Sequence, residues 1–198
     1  MTEIILASGS ETRQKMFKSA GIHAQIAPPH VDEGTVKESL KAEGAKPLDI
    51  AFALAELKAK SISVLYPDAL VIGADQILDQ KGNLLTKAKN RAQAQATLRT
   101  LSGEKHRLLS AAVAVQAGQV IWRGSDRADL TVRPLSDPFI SHYLDQLGDR
   151  AYNSVGCYHL EGLGAQLFQK VDGDYYTILG FPMLGFMQFL RDRGVILS

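Results

Sequence analysis

A mixed-sheet α/β fold is what this chain of 198 residues predicts, and three stretches carry the prediction. Glu3-Ile4-Ile5-Leu6-Ala7 is a short apolar strand, broken by Ser8-Gly9-Ser10 and followed by helical character over 11–20; strand, turn and helix in succession are the unit of an α/β sheet. Residues 69–72 are apolar and bounded by Pro67-Asp68 and Gly73, as in a strand buried on both faces. Two long β segments, 106–116 and 120–132, then meet at Ala117-Gly118-Gln119, so β structure dominates the later part. The expectation is one domain over 1–198, its hairpins forming a second lobe over a cleft.

The elements follow in order. Ser10 is a good N-cap for the first helix, Glu11 suits its first turn, and Gly21 stops it. Arg13 opposes the helix dipole there; it is either solvated or turned back towards a bound anion. Residues 22–27 alternate like a strand and end at Pro28-Pro29. Val31-Asp32-Glu33 reads as a loop ahead of a polar segment reaching Pro47. A strong helix spans 48–65, with Ile50, Leu54, Leu57 and Ser61 on one stripe and Lys58 flanking it. Residues 77–79 and 83–85 flank Gln80-Lys81-Gly82 as a hairpin, and 90–101 is an Ala-rich helix. A helix capped by Ser136 runs to Leu147, and 151–164 is a glycine-rich loop. Residues 167–171 and 174–179 make a hairpin across Asp172-Gly173, and Gly180-Phe181-Pro182 opens a last helix stopped by Gly194.

Composition removes several classes. A net charge of +1 gives no field for nucleic acid or anionic lipid. A single cysteine, Cys157, excludes an internal disulfide and a cysteine-based zinc site. The N-terminus lacks the basic region of a signal peptide, and no run approaches the ~18 apolar residues of a membrane span; a cytoplasmic protein is expected. Neither a Gly-x-Gly-x-x-Gly nor a P-loop follows the first strand, the five histidines lack metal spacing, and Ser8 and Ser10 sit in no nucleophile elbow. Cys157 lies two residues from His159, weak support for a nucleophile.

What remains is a set of cations and acids near turns: Arg13, Lys58 and Lys87 with Glu33 and Asp75. Asp75 follows a buried strand through Gly73-Ala74, so it is a cap or a functional acid. Lys58 either snorkels to water or holds phosphate. Glu33, beside Asp32, is a solvated loop acid unless it holds Mg²⁺ with substrate phosphates. Cations mixed with acids suit an anionic substrate, a divalent metal and a carboxylate that activates water.

These residues are similar in order and spacing to the Maf family of nucleoside triphosphate pyrophosphatases. The match runs through Leu6-Ala7-Ser8-Gly9-Ser10-Glu11-Thr12-Arg13, Val31-Asp32-Glu33, Lys58-Ala59, Gly73-Ala74-Asp75, Lys87, Gly162-Leu163-Gly164 and Leu179-Gly180-Phe181-Pro182, essentially the whole chain. The resemblance implies a deep cleft between two lobes, kinship with inosine triphosphatases, and a homodimer. It also implies Asp75 as proton acceptor, Ser8, Arg13, Lys58 and Lys87 on the triphosphate, and Glu33 with Asp75 on a divalent cation, Mg²⁺ or Mn²⁺. Specificity is implied at Thr12, Gln76 and Glu161. Gln76 and Glu161 match members acting on 7-methyl-GTP, and a carboxylate such as that of Glu161 can accept from the guanine N1–H and exocyclic amine. Thr12 departs from the Trp of those members, and Leu57 and Ala88 depart from a usual Glu and Pro. The expected activity is release of pyrophosphate from 7-methyl-GTP; dTTP or UTP hydrolysis, and a nucleotide-binding regulator of septum formation, are the alternatives.

Overall fold

Apolar residues on both sides of the first strand fix where it goes. A computed structural model of the chain describes residues 2–197, and in it β1 (Ile4–Ala7) is buried along its whole length. Ile4 and Leu6 point into one core with Ile72, Ala74, Phe17, Phe181, Phe186 and Leu190. Ile5 and Ala7 point into another with Val71, Ala55 and Ala59. A strand covered on both faces has no polar side to present.

The chain divides into two compact units. The first runs through Gln76, takes up Leu109–Asp126, and resumes at Tyr175. Its helices are α1 (Glu11–Ser19), α2 (Glu33–Ala42), α3 (Pro47–Ser63), a short α6 (Tyr175–Ile178) and α7 (Met183–Asp192). Its strands, ordered β2-β1-β3-β5-β6, are β2 (Gln25–Ile26), β1, and parts of β3 (Leu70–Gln80), β5 (Lys105–Gln116) and β6 (Gln119–Val132). β1 is parallel to both β2 and β3, with Ala7 opposite Gly73 at its last pair. The second unit holds Ile77–Leu108 and Arg127–Asp174. There β4 (Asn83–Leu85) pairs antiparallel with the end of β3, and β7 (Phe168–Asp172) pairs antiparallel with β6. It also holds α4 (Arg91–Leu101), α5 (Asp137–Leu147) and 3₁₀ turns at Gly148–Asn153 and Leu163–Leu167. The architecture is the expected mixed α/β sheet with flanking helices. No helix among the described residues is long and apolar enough to cross a membrane.

Four local expectations need correction. The segment after Val31 is helical: the Asp32 carboxylate accepts from the Thr35 N–H at 3.1 Å and from the Thr35 hydroxyl at 2.8 Å, capping α2. β3 does not end at Gly73 but continues to Gln80, so Asp75 stands inside a strand. β2 keeps only two residues of the strand expected over 22–27. Residues 174–179 do not pair with β7, whose partner is β6; Gly173, at φ 145°, turns the chain where a Cβ would fall 2.6 Å from that of Ala128, and Tyr175–Ile178 coil into α6.

Candidate active site

Strand alternation decides which side each residue of β3 serves. Val71, Gly73 and Asp75 face α3; Ile72, Ala74 and Gln76 face α1 and α7. On the α3 side the approach is very close: a Cβ on Gly73 would lie 2.0 Å from the Ala55 carbonyl oxygen and 2.8 Å from the Ala59 nitrogen. Only glycine lets the helix lie this near the strand. One turn beyond Leu54, that proximity delivers Lys58.

Lys58 is 6% exposed, too deep for a lysine reaching water. Its Nζ donates to Asp75 Oδ1 at 2.7 Å and meets Glu33 Oε2 at 2.8 Å. Glu33 comes from the first turn of α2 and is about half exposed, whereas Asp75 is buried. The two carboxylates therefore converge within two hydrogen-bond lengths of each other, with an ammonium between them. Oδ1 of Asp75 is committed to Lys58; Oδ2 has no hydrogen-bond partner among the described residues and is not sealed from solvent. A carboxylate with one oxygen fixed and one open is suited to take a proton from water.

Beyond the end of β1, Ser8 and Ser10 set the position of Arg13. Ser10 caps α1 through the Arg13 N–H at 3.3 Å, and the buried Ser8 Oγ accepts from the Ser10 N–H at 3.2 Å and Arg13 Nη1 at 3.3 Å. Arg13 Nε donates to the Gly180 carbonyl at 2.8 Å. Arg13 is thus not a solvated surface residue. Its Nη2 keeps no hydrogen-bond partner among the described residues and is open to an anion. Burial lowers the guanidinium from its ordinary value, and the Asp75 and Glu33 charges pull it back. Gly180 sits at φ 100°, where a Cβ would meet Arg13 Nη2 at 3.3 Å; a side chain there would be strained and would crowd the guanidinium.

On the opposite face of β3, Gln76 is spent on the protein. Its Nε2 lies 3.0 Å from the Thr177 carbonyl, 3.1 Å from that of Ile178 and 3.1 Å from Ser110 Oγ. Ser110 donates in turn to the Thr177 carbonyl at 2.8 Å, and the Thr177 hydroxyl donates to Asp126 at 2.9 Å. Gln76 therefore holds the segment that carries Gly180. Thr12, half-buried, lies in the first turn of α1.

Ser8, Arg13, Glu33, Lys58 and Asp75 are thus assembled by the first unit. Lys87 and Glu161 belong to the second: Lys87 is exposed between β4 and α4, and Glu161 is exposed with Oε1 3.9 Å from His159 Nδ1. Ser110, Thr177 and Gly180 as supports were not legible. The first two sit in ordinary β and helical contexts, and Gly180 reads simply as a helix opener. Among the described residues no group of three or more His, Cys, Asp or Glu is placed to hold a metal.

Four reactive side chains of the second unit are held towards their neutral forms by burial. Burial lowers His106 to about 4 and raises Cys157 to about 11. It also raises Tyr143 and Tyr158 well above the usual phenol. His106 Nε2 is 2.7 Å from the Tyr158 hydroxyl, and Tyr143 donates to the Cys157 carbonyl at 3.1 Å. Cys157 is fully buried, a packed thiol and not a nucleophile.

A family profile described as Maf-like protein matches residues 3–193. A nucleoside triphosphate pyrophosphatase of Caulobacter vibrioides is 47% identical over 99% of this chain and 98% of its own. One from Paramagnetospirillum magneticum is 48% identical over 96% of this chain and 98% of its own. A 7-methyl-GTP pyrophosphatase of Rhizobium etli is 45% identical over 98% of each chain.

Proposed function

The chain belongs to the Maf-like family, and from that membership we propose that it is a nucleoside triphosphate pyrophosphatase whose substrate is 7-methyl-GTP. Asp75 carries the reading, with Oδ1 locked to the buried Lys58 and Oδ2 open. Water between Oδ2 and the α-phosphate loses its proton to Asp75 as its oxygen bonds phosphorus, and the bond to the β-phosphate oxygen breaks. The products are the nucleoside monophosphate and pyrophosphate. Negative charge grows on the phosphoryl oxygens as this happens. Lys58 and the open Nη2 of Arg13 are fixed donors for it, and donors fixed beforehand do not have to reorganise during the reaction.

The carboxylates of Glu33 and Asp75 suit a divalent ion brought by the phosphates. Mg²⁺ usually binds through one or two carboxylates plus substrate oxygens, and this pair already converges on a cation, Lys58. Such an ion would supply charge neutralisation at the phosphates.

Two lines support the methylated purine. The Rhizobium etli relative carries that activity in its name. Gln76 also keeps an acceptor for a ligand: its nitrogen is occupied by two carbonyls and the Ser110 hydroxyl, leaving its oxygen. A guanine edge offers donors to such a group, whereas a pyrimidine O4 would be repelled. The test is pyrophosphate release from 7-methyl-GTP, GTP, UTP and dTTP with Mg²⁺ or Mn²⁺. Preferential turnover of 7-methyl-GTP is expected. Comparable UTP and 7-methyl-GTP rates would remove the specificity, and no release from any substrate would remove the activity.

A further inference from the structure

The cations so far assigned in the first unit only balance its acids: Arg13 and Lys58 against Glu33 and Asp75. A site for a multiply charged triphosphate needs an excess of positive charge, and α2 supplies one. No residue of this helix is fully buried, and its half-buried positions are Val36, Lys37 and Leu40. With Glu33 these lie at i, i+3, i+4 and i+7, one face of a helix. That face is the inward one, because Glu33 on it reaches Lys58. Lys37 thus occupies a position where the pattern calls for an apolar residue, one turn beyond Glu33.

The Lys37 amine has no hydrogen-bond or ion-pair partner among the described residues, unlike Lys58, Lys60 and Lys81, which all have one. Burial lowers it from the ordinary lysine value; the Asp75 and Glu33 charges act to hold it up, and Lys41 acts to lower it. A half-buried ammonium within the field of the two site acids, yet paired with neither, is an open donor.

We propose that Lys37 is a phosphate-binding residue of this site, its ammonium taking a terminal phosphate or the departing pyrophosphate. The proposal rests on the pyrophosphatase reading above for the identity of its ligand. Counting Lys37, three cations face two acids, so the site attracts a polyanion before any metal arrives. α2 then contributes from both ends of one turn, with Glu33 aligning Lys58 and Lys37 meeting the phosphate.

Lys37→Met tests this, because it keeps the packed stem and deletes the charge. Binding of inorganic pyrophosphate, measured by calorimetry without divalent metal, should weaken about 10-fold in Lys37→Met and return in Lys37→Arg. KM for the nucleotide should rise by a similar factor, with kcat within about two-fold, the signature of a lost binding contact. The urea midpoint should not fall, which separates binding from folding. Equal pyrophosphate affinity in wild type and Lys37→Met, or no binding by the wild type, overturns the proposal. The two readings fail separately: absent turnover of every nucleotide by the wild type removes the pyrophosphatase, whereas unaltered pyrophosphate binding in the variant removes Lys37.

Discussion

In the first unit a lysine is buried as an ion, 2.7 Å and 2.8 Å from two carboxylates. In the second, the buried histidine, cysteine and two tyrosines are all displaced towards their neutral forms. Both groups are sheltered from water, so burial alone does not explain the difference. Counter-charge does. Lys58 is met by acids from two other elements, β3 and α2, whereas His106 finds a tyrosine hydroxyl on one nitrogen, no hydrogen-bond partner among the described residues on the other, and only the field of Asp129 against its burial. An interior charge costs several kcal/mol unless opposed. The first unit accepts that cost, and the charges it keeps are the ones proposed above to serve the phosphoryl transfer. The second behaves as ordinary core.

Asp75→Asn should break the contrast most completely. It preserves shape and removes the proposed proton acceptor, so turnover should fall ~10²-fold or more while nucleotide binding survives; unchanged turnover in a pyrophosphate-release assay would show that Asp75 is not the base.

A smaller effect should appear in the second unit on acidification. The folded His106 value, about 4, lies below the ordinary 6.5, so the unfolded chain binds the extra proton first. The stability contributed by the neutral imidazole is complete above about pH 6.5 and is lost as pH falls from there towards 4. Between pH 6.5 and 5 the wild type should lose about 1–2 kcal/mol more than His106→Gln in urea titrations. Parallel curves for the two proteins would show that the imidazole does not titrate in this way.

The smallest effect should be at Cys157. Burial and the raised thiol value leave little thiolate at neutral pH, so kcat/KM of Cys157→Ser should stay within about two-fold of the wild type. The native thiol should react with a disulfide reagent only when the protein unfolds; rapid labelling of the folded enzyme would contradict its place in the core.

Much of the first unit was legible in the sequence because its signals are local. The apolar runs of β1 and β3, the Ser10 cap and the stripe of α3 each declare themselves within a few residues. α2 was missed because its inward face is thin: Val36 and Leu40 are its only apolar inward residues, and Lys37 interrupts them. The length of β3 was hidden by Gly73. A glycine in a strand normally signals weakness, but here it marks where α3 presses against the sheet. The opposed roles of Asp75 and Gln76 follow from strand alternation alone, once β3 is known to continue. The hairpin expected after Asp172-Gly173 failed because turn chemistry does not say which strand is the partner. Ser110 and Thr177 gave no signal because their roles exist only through contacts with Gln76, 34 and 101 positions away in the chain.

The Arg13–Gly180 hydrogen bond joins residues 167 positions apart, which sets when the proposed site can be completed. A ribosome makes about 5–20 residues each second, so Arg13 waits on the order of ten seconds or longer for its carbonyl to be synthesised. Over the same interval β1 and the inner face of α1 lack Phe181, Phe186 and Leu190, their partners in the finished core. A nascent chain stalled before residue 180 therefore has Asp75, Lys58 and Glu33 in hand but an unanchored arginine and an uncovered apolar sheet. The first unit is complete only once residues 180–190 have been made, and the period of greatest exposure to aggregation comes just before that.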